Sequence, residues 1–276
     1  TYRRPLEGGD EMTLVRLRRR IRPLMLRRTK SVVAAELPEK QVQVVTVPMT
    51  AAHERIYQQH LQRERQRVLR LLAEDPDEHR VAILSSLTTL RQMALHPGRV
   101  REEYLERTGA AKIDALIDQV RELAAEGHRA LVFSSFTRFL RMVQQRLHEE
   151  GLETAYLDGS TTDRASVVRD FREGEAPVFL ISLKAGGFGL TLTEADYVFV
   201  LDPWWNPAAE EQAIDRVHRI GQDKTVFVYR YVSAETIEEK VVALQAHKRD
   251  LFTKVVDQGG SLTGTISADE IRALLE

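Results

Sequence analysis

Two arginines and a glutamine recur at helical spacing near residue 215 and could bind phosphate. The pattern over residues 207–219 predicts a helix on which Gln212, Arg216 and Arg219 share one face. A guanidinium keeps its charge and presents a fork of donors that matches the paired oxygens of a phosphate. For an isolated helix, pairing with acidic residues of the same helix would be the more ordinary explanation.

The neighbouring face of this predicted helix is apolar. Ala213, Val217 and Ile220 follow the same spacing one residue later, so we expect them to pack on a sheet. The arginine row would then lie on a rim beside the core.

A glycine-rich turn follows a predicted buried strand. Residues 182–189 read SLKAGGFG and contain Ser182, Lys184, Gly187 and Gly189. Glycines permit positive φ and let a ligand approach the backbone closely. The third glycine of a dinucleotide fingerprint is replaced by Leu192, which disfavours a nucleotide-binding oxidoreductase. Taken alone, the turn would more simply be a glycine turn that leaves its lysine in solvent.

A tryptophan pair follows the next predicted strand, residues 197–201. Trp204 and Trp205 lie between Asp202-Pro203 and Asn206-Pro207. A tryptophan in a loop can stack on a base or a sugar. We expect one of the two to be a packed lid residue.

Several common catalytic motifs are missing from the sequence. It has no G-x-x-x-x-G-K-[ST] phosphate loop, no HExxH spacing and no cysteine. We therefore predict no metal site and no complete catalytic constellation. Residues 77–80, DEHR, have the letters of an acidic ATPase motif but follow Pro76, so they are interpreted as a helix start.

From Lys112 onward the sequence alternates between helix and strand. Strands are predicted at 130–134, 154–157, 178–182, 197–201 and 226–232, with helices between them and one at 235–256. Such units predict an α/β fold with a mostly parallel sheet and helices on both faces. A strand at 41–47 and a helical hairpin, residues 49–74 and 78–94, precede them. The second hairpin helix carries one predicted apolar side: Val81, Leu84, Leu87, Leu90 and Met93.

The charge is nearly balanced, with a formal net charge of -1. Any binding to nucleic acid must therefore be local. Residues 16–30, RLRRRIRPLMLRRTK, are rich in arginine and contain no acidic residue. They could contact DNA or form a solvated linker, and the sequence favours neither. Neither a membrane span nor a secretory signal is visible.

The motifs in order resemble one family. Residues 178–232, with ISLKAGGFGLTLTEADYVFVLDPWWNP followed by EEQAIDRVHRIGQ, resemble the C-terminal motor lobe of a bacterial-type Swi/Snf ATPase, in superfamily 2 of the helicases. Upstream, RPLMLRRTKSVVAAELPEK resembles the family's lobe-linking segment and LRQMALHP its helical protrusion. ALVFSSF and YLDGST resemble two helicase motifs. The resemblance covers roughly residues 21–245.

The resemblance implies a RecA-like parallel sheet flanked by helices on both faces, with an N-terminal helical protrusion. The implied layout has a lobe-linking segment and first strand at 1–48 and the protrusion at 49–111. The RecA-like second lobe follows at 112–258, and a peripheral C-terminal extension at 259–276.

The family implies a two-lobed motor that hydrolyses ATP between its lobes and translocates along one strand of duplex DNA. By motif, Arg216 and Arg219 would be arginine fingers, with Gln212, Gly187 and Gly189 near the nucleotide. The implied DNA contacts are Ser134, Ser182, Lys184, Trp204, Trp205 and Asn206.

The sequence departs from the family pattern at several positions. Ser135 stands where a Gln is usual, Thr191 replaces a frequent Asn, and the turn at 160–163 is short. The phosphate loop and acidic magnesium motif of a first lobe are missing. We therefore expect no activity and no tightly bound cofactor in this chain alone, and ATP with Mg²⁺ in the complete two-lobed enzyme.

The expected partners are double-stranded DNA, the enzyme's own first lobe and proteins bound through the protrusion, in the bacterial cytoplasm near the nucleoid. The alternative is a non-enzymatic DNA- or protein-binding module that uses residues 16–30 and the helical hairpin.

Overall fold

The structure is a computed structural model that describes Met12 and residues 37–76, 78–185, 190–204, 207–246 and 266–275. The chain divides into two units, Thr1–Leu37 and Pro38–Glu276. Of the first unit, only Met12 and Leu37 are described. The predicted basic surface at residues 16–30 therefore lies outside the described residues.

Six strands of the second unit form one parallel sheet. They are β1 (Lys40–Val47), β2 (Ala130–Ser134), β3 (Thr154–Leu157), β4 (Val178–Ser182), β5 (Tyr197–Val200) and β6 (Val226–Ser233). Their order is β1-β6-β5-β2-β4-β3, and each neighbouring pair is parallel. All residues of β2 and β4 are buried, as expected for strands covered on both faces. The predicted α/β parallel sheet is confirmed.

Helices cover both faces of this sheet. In chain order they are α1 (Ala51–Glu74), α2 (Arg80–Leu95), α3 (Ala111–Ala125), α4 (Thr137–Glu149), α5 (Arg164–Glu173), α6 (Pro207–Ile214), α7 (residues 237–246) and α8 (Ala268–Leu275). On one face, α3 and α4 pack Leu116, Val120 and Val143 against β2 and β4. On the other, α5 and α6 pack Phe171 and Ile214 against the same strands. The predicted continuation of α7 to residue 256 lies outside the described residues.

The helical hairpin of α1 and α2 shares its core with the C-terminal helices. Thr50 caps α1 by accepting a hydrogen bond from the His53 N–H at 3.2 Å. Leu87 and Leu90 of α2 belong to the same buried cluster as Val241 of α7 and Leu274 of α8. The last described helix, predicted as a peripheral extension, thus buries its apolar face in the hairpin.

The predicted apolar side of α2 is wrong at one position. Val81 is 82% exposed, whereas Leu87 and Leu90 are fully buried. Steps of three residues drift backwards around an α-helix, since each residue turns by about 100°. Val81 and Leu90 therefore lie on opposite sides of α2.

Candidate functional site

Two serines end neighbouring strands at the carboxyl edge of the sheet. Ser134 of β2 and Ser182 of β4 are paired in register, and both are buried. The Ser134 hydroxyl accepts from the Phe136 N–H at 3.1 Å, and the Ser182 hydroxyl accepts from the Ala185 N–H at 3.2 Å. These hydroxyls shape the turns that follow the strands.

Of the other predicted DNA contacts, Lys184 is exposed two residues beyond β4. Gly187, Gly189, Trp205 and Asn206 lie outside the described residues.

A buried ion pair joins the hairpin to this edge, and the motifs gave no indication of it. Asp202 and Arg91 are both fully buried, and the Arg91 Nη2 donates to Asp202 Oδ2 at 2.9 Å. Asp202 also accepts from the Ser135 N–H at 3.0 and 3.2 Å, one distance to each oxygen. Burial raises the pKa of Asp202, and the guanidinium of Arg91 opposes that rise. The only sequence signal was a charged residue among the apolar positions of α2.

Trp204 packs on the same arginine. The Arg91 guanidinium carbon lies 4.4 Å from the centre of the Trp204 ring and 5.1 Å from that of Phe136. The backbone N–H of Trp204 donates to Glu210 Oε1 at 2.6 Å. Trp204 is therefore a packed residue, as the sequence predicted for one of the pair.

Glu210, near the start of α6, joins that helix to the loop of Trp204 and to β6 and α7. It is fully buried and accepts from Arg230 of β6 at 3.1 Å and from Gln245 of α7 at 2.6 Å. Burial raises the pKa of Glu210, and the Trp204 N–H and Arg230 oppose that rise. Glu211 bonds to Arg230 at 3.4 Å and to Lys40 of β1 at 3.0 Å. Two acidic residues of α6 thus bond to neighbouring strands.

The predicted helix that carries the arginines is shorter than expected. It ends at Ile214, and the next residues form turns in which Arg216 N–H bonds to Ala213 O at 3.2 Å and Val217 N–H to Ile214 O at 3.0 Å. These bonds span three residues instead of four, which tightens the chain and ends the helical period. Val217 stays in the core, but Ile220 is 76% exposed, so its predicted packing on the sheet is wrong.

The two candidate arginines lie in this turn segment. Arg219 is exposed, and its Nη1 donates to Thr191 Oγ1 at 3.4 Å. Arg172 of α5 donates to the Thr191 carbonyl, so two guanidinium groups flank Thr191. Arg216 is partly buried, and its carbonyl accepts from Leu192 N–H at 3.0 Å. Gln212, on α6, is exposed.

A buried glutamine, the last residue of the EEQAIDRVHRIGQ motif but not a candidate site residue, holds this segment in place. Gln222 Nε2 donates to Ala195 O at 2.9 Å and to Thr193 O at 3.2 Å. Gly221 before it has φ of 101°, which favours glycine. Residues 216–222 are thus held against residues 191–195, which lead into the amino end of β5.

The candidate residues therefore form two groups. Ser134, Ser182, Lys184 and Trp204 lie at or just beyond the carboxyl edge, and the arginine turn lies along the segment that returns to the amino end of β5. Exposed guanidinium donors suit phosphate oxygens.

Within the described residues, no group of three or more acidic or histidine side chains could hold a metal ion. No described helix is long and apolar enough to span a membrane.

A cavity of about 780 Å³ lies apart from both groups. It lies between the turns after α2 and helix α4, where Arg99, Arg138 and Met142 line it together with Glu102. Burial lowers the pKa of Arg99, and the nearby positive charge of Arg138 adds to that effect. None of the candidate residues lines this cavity.

Two family models match the chain. Residues 111–221 match the helicase conserved C-terminal domain, and residues 1–99 match the SNF2-related domain.

Individual proteins agree with these matches. An uncharacterized ATP-dependent helicase of Mycoplasma pneumoniae is 35% identical over 263 residues, which are 94% of this chain and 25% of the relative. The putative ATP-dependent helicase/translocase YwqA of Bacillus subtilis is 33% identical over 99% of this chain and 30% of its own length. The SWI2/SNF2 ATPase core of Sulfolobus solfataricus in complex with dsDNA superposes with a TM-score of 0.66 at 28% identity, covering 99% of this chain and 58% of that one. The chain thus spans 25% to 30% of the length of these two curated relatives.

Proposed function

The chain belongs to the SNF2-related family of ATP-dependent helicases, and from that premise we propose that it is the second motor lobe of a DNA-dependent ATPase and translocase. The observation that carries the proposal is the exposed guanidinium of Arg219 on a turn that Gln222 fixes to the lobe. The guanidinium of Arg219 could therefore bind a phosphate of ATP that is held by another lobe.

In this mechanism, Arg216 and Arg219 are arginine fingers. Negative charge spreads over the γ-phosphate oxygens during phosphoryl transfer, and positioned guanidinium groups stabilise it. In this proposal, Gln212, Gly187 and Gly189 would border the nucleotide. Carboxylates of a first lobe would hold the Mg²⁺ that neutralises the phosphates of ATP, since the described residues of this chain offer no such cluster.

The carboxyl edge would form half of a track for double-stranded DNA. Lys184 is exposed there and supplies a charge for a backbone phosphate. Ser134 and Ser182 shape the turns, and Trp204 lies in the adjoining loop. In this proposal, Trp205 and Asn206 would contact the duplex as well. Binding of this kind follows the shape and phosphates of the duplex rather than its sequence. A nucleoid-associated position in the cytoplasm is part of the same proposal.

The test of the fingers is Arg219→Ala in a protein that joins this chain to a first lobe bearing a phosphate loop. We expect DNA-stimulated ATP turnover to fall by about 10³-fold, because arginine fingers contribute that much or more, while DNA binding is kept. Arg172→Ala is the matched control, since Arg172 also contacts Thr191 but has no proposed phosphate contact. Unchanged turnover in Arg219→Ala would remove the residue from this role.

A second test concerns the chain by itself. The sequence has no phosphate loop, so we expect no DNA-stimulated ATP hydrolysis by the purified chain. Hydrolysis that copurifies with the chain and responds to DNA would contradict the two-lobed proposal.

The competing function is a non-enzymatic binding module, which would use the acid-free basic stretch at 16–30 and the helical hairpin. The two proposals differ in which residues set DNA affinity and its salt dependence. A steep salt slope that disappears when Arg18, Arg19 and Arg20 are neutralised would support the module. Loss of binding after changes to Lys184 and Trp205 would support the motor track.

A further inference from the structure

We propose that Arg91 is a positioning residue that holds the loop of residues 202–204 in place for DNA contact by Trp204. The proposal rests on the DNA track proposed above and adds a residue from the hairpin to it. Arg91 lies in the LRQMALHP segment and Asp202 precedes the tryptophan pair, but neither was a candidate site residue.

One guanidinium reaches two parts of the loop. Arg91 Nη2 donates to Asp202 Oδ2 at 2.9 Å and to the Pro203 carbonyl at 3.0 Å. Both side chains of the ion pair are fully buried. The contact therefore fixes the backbone of the loop as well as its carboxylate.

The same group joins two strand ends. Its flat guanidinium lies between the rings of Phe136, which follows β2, and Trp204, which follows β5. Asp202 meanwhile accepts from the Ser135 N–H, so the turn after β2 and the loop after β5 are tied through one carboxylate. Two predicted DNA contacts adjoin these segments: Ser134 precedes the turn after β2, and Trp204 lies in the loop after β5.

Stability alone does not explain a buried ion pair. Well-packed apolar residues of similar volume are often as stabilising or more so, because both charges must leave water. The guanidinium instead fixes geometry, because its Nη2 bonds two oxygens while its flat face lies near two rings, and a lysine ammonium has no such face. We therefore assign the pair to orientation of the loop.

The experiment uses Trp204 as its reporter. The chain contains two tryptophans, so Trp205→Phe leaves Trp204 as the single emitter. In that background, Arg91→Met with Asp202→Asn removes both charges, and the new amide oxygen can still accept from the Ser135 N–H. The paired change avoids the unfolding that a lone buried charge would cause in Arg91→Met.

We expect the double variant to stay folded by circular dichroism, while its Trp204 emission shifts to the red and becomes easier to quench with acrylamide. With Trp205 intact, DNA affinity measured by anisotropy on a fluorescent duplex should weaken by about tenfold, in line with losing one aromatic contact. Arg91→Lys should show the same two defects in milder form.

Arg129→Met is the matched control. Arg129 also stacks on a ring, that of Phe171 at 4.0 Å, and donates to the Ala176 carbonyl at 3.1 Å. It directly precedes β2, at the end of the strand opposite to the Ser134 edge. It should lose stability without changing Trp204 emission or DNA affinity. Unchanged emission in the Arg91 double variant, or an equal loss of DNA affinity in Arg129→Met, would overturn the inference. If the wild-type chain binds no DNA, the proposed track fails, and the emission result alone decides whether Arg91 positions the loop.

Discussion

His96, in the turn after α2, is a side chain whose protonation state is coupled to folding. It is buried, and its Nδ1 accepts a hydrogen bond from the Gly98 N–H at 3.1 Å. Burial lowers its pKa to about 4, and the neighbouring His53 adds to the shift. The folded protein therefore holds the neutral ring, since a protonated Nδ1 could not accept from Gly98.

This shift predicts that stability falls as the pH drops from 6.5 towards 4. Over that window the ring of His96 is protonated in the unfolded chain but neutral in the folded chain. Each unit of falling pH therefore lowers the free energy of unfolding by at most about 1.4 kcal/mol for this one group. His96→Asn keeps an oxygen that can accept from Gly98 and should flatten the slope in urea unfolding. The pKa of His53 is also lowered, so part of the slope should remain.

The control for this prediction is His148→Asn, since His148 is exposed on α4. It should leave the pH dependence of the urea midpoint as it is in the wild type. An unchanged slope in His96→Asn would mean that other groups cause the acid sensitivity.

For the individual residues of the candidate site, the sequence identified the arginines but predicted them on a helix that is longer than the one observed. The spacing of Gln212, Arg216 and Arg219 fits a helix, and periodicity alone contains no signal for the tighter turns after Ile214. Those turns depend on tertiary bonds, such as Leu192 N–H to the Arg216 carbonyl, which join distant parts of the chain.

Among the elements, helix α8 contributes more to the buried core than a peripheral extension would. Ile271, Leu274 and Leu275 are buried in the cluster that holds the helical hairpin together. Arg272, which follows Ile271 on the other face of the helix, is exposed and bonds to Asp269 at 2.6 Å. One face of α8 is thus structural and the other is in solvent.

We predict that Leu274→Ala lowers the free energy of unfolding by about 2–5 kcal/mol, because it leaves a cavity in the shared core. Arg272→Ala in the same helix should cost less than about 1 kcal/mol, the usual limit for an exposed ion pair. Chemical denaturation measures both variants. Equal and small effects would show that α8 is dispensable for the hairpin.

For the whole molecule, the sheet and the hairpin depend on each other. β1 pairs with β6 along its full length, from Lys40 beside Val226 to Val47 beside Ser233. The hairpin supplies Arg91 to Asp202, and α7 packs into the hairpin core. A fragment that contains only the predicted RecA-like segment 112–258 would lack all three contacts.

We therefore predict that residues 38–276 unfold in one cooperative transition, whereas residues 112–258 do not. In the shorter fragment, β6 is an open edge, and Asp202 loses both the Arg91 guanidinium and the hairpin that covers it. Thermal melts followed by circular dichroism compare the two fragments. A cooperative melt of 112–258 near the temperature of the longer fragment would show that the segment is an independent domain.

The sequence by itself determined the parallel sheet, most strand bounds and the residue types of the site, since these depend on local periodicity and on side-chain chemistry. Ala130–Ser134, Thr154–Leu157 and Val178–Ser182 are strands with the bounds that their apolar runs predict. The order of the strands, the end of α6 and the meeting of Arg91 with Asp202 were decided only by the tertiary structure. The last pair is separated by 111 positions in the chain, and a contact at that separation forms only when the sheet brings its strand ends under the hairpin.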